Sequence, residues 1–192
     1  MLTSYNELQL LVWQELMAIL APDWEDGAGA PPVRHSWPKG GAPDWRIDDD
    51  IVFMQLSEAE DDINRPVEDE WLEKGDDLTR RQGITRVFNL KLNAYGPHCY
   101  DNLLRIRMEF LRGIDAMKKE KVYLVPERTG IVRAPELFQS RWWNRADTNL
   151  KLNVLFVSDI DVKAITSVRV GIYANRQGQS QAVLDDIAKA EI

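Results

Sequence analysis

The chain has 192 residues, 44% hydrophobic and 29% charged, with a net charge of −7 at pH 7 and one cysteine. That length and apolar content support a packed core and exclude a disordered chain. The acidity disfavours general attraction to nucleic acid, and the lone Cys99 excludes an intrachain disulfide.

The opening residues lack a signal peptide's basic region, being interrupted by Glu7 and Glu15, and no stretch is long enough to span a bilayer. The reading is a soluble, cytosol-made protein. Leu8, Leu11, Val12, Leu16, Ile19 and Leu20 recur at three- and four-residue spacing, which predicts an N-terminal helix. Thr3 or Ser4 can cap it and Pro22 stops it.

Residues 22–50 are rich in Pro and Gly and read as a long loop carrying Trp24, Trp37 and Trp45. Aromatic residues in such a loop imply docking, on the chain's own core or on a partner. Ile51–Leu56 reads as a mostly buried strand. Residues 57–82 form an acidic arm or hairpin, with room for a short helical turn, in which only Val67, Trp71, Leu72 and Leu78 can act as anchors.

Phe88, Leu90, Leu92 and Ala94 alternate with Asn89, Lys91 and Asn93, the clearest strand pattern in the chain. Gly96-Pro97 then opens a predicted helix of roughly 20 residues, with a wide apolar face from Tyr100 to Met117. Further strands are predicted at Val122–Val125, weakly at Glu136–Trp143, at Leu150–Phe156 and at Ser167–Tyr173. Residues 175–192 read as a tail or short helix. The expected fold is one α+β domain over 1–192. A mainly antiparallel sheet is packed by the N-terminal helix and one long central helix, with long extended loops.

Three chemical readings compete. Cys99 at a helix start beside His98 suggests a thiol nucleophile, but neighbouring helical positions point about 100° apart, which places His98 poorly as its base. The acidic runs at Asp48–Asp50 and Glu58–Asp62 lack calcium-loop spacing and read as solvated loops. The pair Trp142-Trp143 puts indoles on opposite faces of an extended segment, so one can be core while the other meets solvent or a neighbour. Arg141 and Arg145 flank it, a composition typical of interfaces. The candidate contact residues are therefore Trp142, Trp143, Arg145, Arg141, Arg65 and Trp71. No catalytic, cofactor-binding or metal-binding residue is assigned.

The order of elements resembles the tail (neck) terminator proteins of long-tailed bacteriophages. The resemblance runs from about Tyr5 to Tyr173. It takes in the first helix, Ile51–Leu56 followed by Asn64-Arg65-Pro66, and Gly83-Ile84-Thr85-Arg86 leading into the long strand. The Gly96-Pro97 helix entry, Arg141-Trp142 through Asp147 and the closing strands complete it. The resemblance implies a structural virion subunit that forms a ring, usually a hexamer, on the tail tube and joins it to the neck or connector. DNA would pass through without specific binding, and no catalytic residue transfers. The alternatives are a head-completion or adaptor protein and, in a different class, a small cytosolic enzyme or ligand-binding domain.

Overall fold

The computed structural model describes residues 1–25, 29–37, 41, 44–64, 67–74, 77–126, 129–162, 167–176 and 179–189. Where the sequence suggests one domain, the chain divides into two compact units. One comprises Met1–Glu68 with Gly83–Ser158, the other Asp69–Gln82 with Asp159–Ile192.

The first unit begins with α1, Tyr5–Leu20. The Ser4 hydroxyl accepts the Glu7 amide at 3.3 Å, and the Glu7 carboxylate accepts the Thr3 amide at 2.7 Å. The first bond satisfies an amide that the first helical turn leaves open, and the second ties the residue before the cap back onto that turn. Leu8, Val12 and Leu16 are wholly buried on one face of α1.

The proline-rich stretch is not all loop. Val33–His35 forms β1, paired parallel with β2, Ile51–Glu58. The Trp13 indole N–H donates to the Val33 carbonyl at 3.0 Å and ties β1 to α1. β2 pairs antiparallel with β4, Asp77–Tyr95. The main sheet also contains β9, Arg145–Val162, and β5, Val122–Val125, in the order β1-β2-β4-β9-β5. β3, Glu68–Lys74, pairs with β4, and β6, Val132–Arg133, pairs with β9. The architecture is α+β with a mixed, mainly antiparallel sheet.

The alternation read from sequence has a direct counterpart. Phe88, Leu90, Leu92 and Ala94 are buried, as are Leu150, Leu152 and Val154, in one cluster with the α1 residues. Phe156 is half-buried, its ring centroid 5.8 Å from that of Phe88.

The central helix is shorter than expected. α2 covers Cys99–Arg112 and stops at Gly113, whose φ of +82° lets its amide bond back to the Glu109 and Phe110 carbonyls. That left-handed cap ends a helix wherever a side chain would be strained. A separate short helix, α3, follows at Asp115–Lys119, so the apolar run to Met117 spans two elements.

Gly96 also sits at positive φ, +105°. A Cβ there would lie 2.5 Å from the Asp50 carboxylate and 2.6 Å from the Asp49 carbonyl. Gly96→Ala is expected to cost about 1–3 kcal/mol or more in chemical denaturation, since strain and overlap add. A cost below about 0.5 kcal/mol would mean that this turn relaxes freely.

In the second unit, the acidic stretch forms the β3–β4 hairpin, with no helix among its described residues. The Asp69 carboxylate accepts from Arg80 at 2.6 Å and Gln82 at 3.1 Å. Arg81 donates twice to Asp159, at 2.8 and 2.9 Å. The expectation of a C-terminal tail or helix from 175 fails. β10, Ser167–Arg176, continues past that point and pairs antiparallel with β11, Gln179–Lys189. Ala182, Leu184 and Lys189 suit a helix, but strand pairing outvotes local propensity.

Candidate functional site

The weak strand read over Glu136–Trp143 is a tight hairpin, β7 at Glu136–Phe138 and β8 at Arg141–Trp143. Leu137 lies opposite Trp142, and Phe138 opposite Arg141. The two linking residues, Gln139 and Ser140, have φ of +47° and +61°. A two-residue hairpin turn of this hand requires positive φ at both positions, which Asn-Gly adopts readily and Gln-Ser does not. The turn is therefore held by what surrounds it.

The base of the hairpin is fixed by two contacts. Trp143 is half-buried, its ring 6.2 Å from Trp45 and 6.2 Å from Phe138. Trp45 in turn contacts Phe53 at 5.2 Å and Tyr95 at 5.9 Å. Edge-on aromatic pairs at these distances each contribute roughly 0.5–1.5 kcal/mol beyond area burial.

The second contact is polar. Arg145 bonds Asp147 through both Nε and a terminal nitrogen, at 2.8 and 2.9 Å, and also pairs with Glu136. Asn93 donates to the same Asp147 at 2.7 Å, and the Tyr95 hydroxyl donates to Glu136 at 3.0 Å. Burial, then the bond to Glu136, pushes the Tyr95 phenol up to about 12. The bonds to Asp147 raise the Arg145 guanidinium, which stays charged. Arg145 is thus a positioning residue within the chain, its fork consumed by two carboxylates.

The face of the hairpin away from Trp143 is apolar and uncovered: Leu137 and Trp142, opposite each other, are 60% and 67% exposed. Phe138 lies on the Trp143 face and is 58% exposed toward the tip. Trp142 faces out while Trp143 packs inward, and Arg141 is exposed beside them. Exposed Leu137 and Trp142 on a strained, braced tip form the kind of apolar patch that marks an interaction site.

The other candidates fall elsewhere. Trp71 is exposed in the second unit, with the Arg80 guanidinium 5.9 Å from its ring. Arg65 and Pro66 lie outside the described residues, but the neighbouring Asn64 has a clear task. Its side chain donates to the Ala59 carbonyl and accepts the Val87 amide, both at 2.7 Å, locking the exit of β2 onto β4. Within the loop of 22–50, Trp24 packs on the core and Trp45 on Phe53, whereas Trp37 is 82% exposed at a φ of +53°.

Sequence reasoning missed the sheet edge that carries Leu137 and Phe138, and the brace of Glu136, Tyr95 and Trp45. A usable signal existed, because a two-residue polar break between Leu-Phe and Trp-Trp is a hairpin pattern.

The residues of the nucleophile reading are otherwise engaged. Cys99 is buried, and burial pushes its thiol up, away from the reactive thiolate. His98 bonds the Asp50 carboxylate through its amide at 2.9 Å and through Nδ1 at 2.7 Å. That bond raises the His98 imidazole and ties it to Asp50, away from Cys99. Cys99→Ser is expected to leave function intact, with a stability cost of about 1–3 kcal/mol for burying a hydroxyl. Loss of function from a Cys99→Ser subunit with a native melt would contradict that. Among the described residues no group of three His, Cys, Asp or Glu side chains could hold a metal. No described helix is long and apolar enough to cross a membrane.

A family model described as phage neck terminator protein matches residues 6–176. No curated protein matches the chain.

Proposed function

Because this chain belongs to the phage neck terminator protein family, a structural family of the virion neck and tail, we propose that it caps the tail tube as a homo-oligomeric ring. The ring, a hexamer in this reading, joins the tail to the neck or connector below the phage head. The β7–β8 hairpin is its anchor on a neighbouring component. The observation that carries the anchor assignment is the exposure of Leu137 and Trp142 on one face of a tip braced from behind. Aromatic side chains at such positions dominate interface energies.

DNA passes through the ring unbound. A net charge of −7 gives the duplex no net attraction to the subunit, which lets it slide rather than stick. No step in this role needs a cofactor.

The test is mass measurement of the purified protein, free and mixed with tail tube protein, together with negative-stain images of both. Rings that bind tube ends are expected. A subunit that joins no ring alone, with the tube or in assembled particles would overturn the reading. It would revive the alternative of an enzyme or ligand-binding domain.

A further inference from the structure

We propose that the exposed Leu137–Trp142 face of the β7–β8 hairpin seats on the outer stripe of α2 of a second copy of this chain. The proposal rests on the ring reading above and names the neighbour that the hairpin meets.

α2 is apolar on two sides. Leu103, Ile106 and Phe110 are buried in the core, while Leu104, Met108 and Leu111 are 43%, 46% and 56% exposed. Spacings of four and three residues align the second set in one stripe, roughly 130° around the helix from the first. A surface helix normally shows one apolar face, so an uncovered second one marks a contact surface.

The residues beside the stripe select the occupant. At about 100° per residue, Arg105 borders it on one side and Arg107 on the other. Neither forms an ion pair among the described residues, whereas Arg112 is held by Glu109. A guanidinium without a carboxylate is drawn to the face of an indole, and a thioether such as that of Met108 to its edge. The stripe therefore suits an exposed tryptophan with an aliphatic neighbour. Trp142 and Leu137 are such a pair, opposite each other on the hairpin and exposed. Two other indoles are as open, but Trp71 already carries the Arg80 guanidinium over its ring, and Trp37 lines a polar cleft with Gln55 and Lys91.

The dimensions agree. From Leu104 to Leu111 the stripe rises roughly 10 Å. Leu137 and Trp142 stand about 5 Å apart at their Cβ atoms, and the indole extends the pair to a similar length. The hairpin is already braced by Trp45 and Arg145, which lowers the ordering cost of association.

Both patches belong to the first compact unit, and they are different patches of one chain. A contact between them leaves one of each unused on every dimer. It therefore repeats, and closes into a ring when the rotation allows. An isologous contact through either patch alone would stop at two copies.

Two variants test this. One carries Met108→Glu on α2, the other Leu137→Ala together with Trp142→Ala on the hairpin. All three residues are exposed, so native melts are expected. Each variant alone is expected to self-associate at least ~100-fold more weakly than wild type, the loss of an anchoring contact. Mixed, the two retain one intact stripe and one intact hairpin, so a discrete heterodimer should appear that grows no further. Analytical ultracentrifugation of the free proteins and negative-stain images with tube protein read these outcomes.

Rings or dimers that persist at wild-type strength in either variant overturn this contact while leaving the ring itself standing. Rings of the hairpin variant that no longer bind the tube would give the hairpin to the tube protein instead. Loss of rings in both variants with no heterodimer on mixing also overturns the contact. Wild-type protein that is monomeric alone, with the tube and in particles sinks the ring reading as well.

Discussion

Leu152→Ala is expected to destabilise the protein by about 2–5 kcal/mol, enough to unfold a domain of ordinary marginal stability. Leu152 sits at the middle of β9, is wholly buried and lies opposite Leu124 on β5. Leu90, Leu92, Leu103 and Ile106, each also wholly buried, share its cluster. Removing three heavy atoms from a site enclosed by sheet and helices leaves a cavity that rigid neighbours cannot fill. Phe156→Ala should cost less than a fully buried phenylalanine would, because Phe156 is half-buried at the end of the same face. Urea unfolding followed by circular dichroism checks both. A Leu152→Ala cost below about 1 kcal/mol would mean that the core collapses around the gap.

That core was legible because its signals are local. The α1 stripe repeats at helical spacing, and its cap and stop are spelled out by Ser4, Glu7 and Pro22. β4 alternates over Phe88–Ala94 and β9 over Leu150–Val154, the stretches that line the core. β1 was invisible because nothing in Val33–His35 announces a strand. It exists through parallel pairing with β2 and the Trp13 bond, both long-range. The break at Gly113 was missed for a different reason. Ile114 and Met117 continue the helical periodicity, while the left-handed cap depends on one backbone angle. At the hairpin, alternation correctly sends Trp142 and Trp143 to opposite faces. Which one turns inward was undetermined, since Trp45, the ring that Trp143 packs on, lies about 100 residues earlier in a loop.

The inward and outward tryptophans should therefore answer differently to the same truncation. Trp142→Ala is expected to leave the melting temperature within a degree or two, because its side chain is 67% exposed and touches little of its own chain. Attachment to the neighbouring neck or tail component should nevertheless weaken by about 2 kcal/mol or more, roughly 30-fold or greater, if Trp142 is an interface anchor. Trp143→Ala should do the reverse at first. It removes ring contacts with Trp45 and Phe138 and loosens the strained Gln139-Ser140 turn, so the melt should fall. Binding should then suffer only because the hairpin no longer holds its shape. Leu137→Ala is the control, since Leu137 pairs with Trp142 across the hairpin and is almost as exposed. It should act as Trp142→Ala does, with a smaller loss. The comparison needs thermal melts beside tube-binding titrations and infectious-particle yield for all three variants. Equal loss of stability in the Trp142 and Trp143 variants would make both core residues. Normal binding and particle yield in Trp142→Ala would place the anchor elsewhere on the subunit.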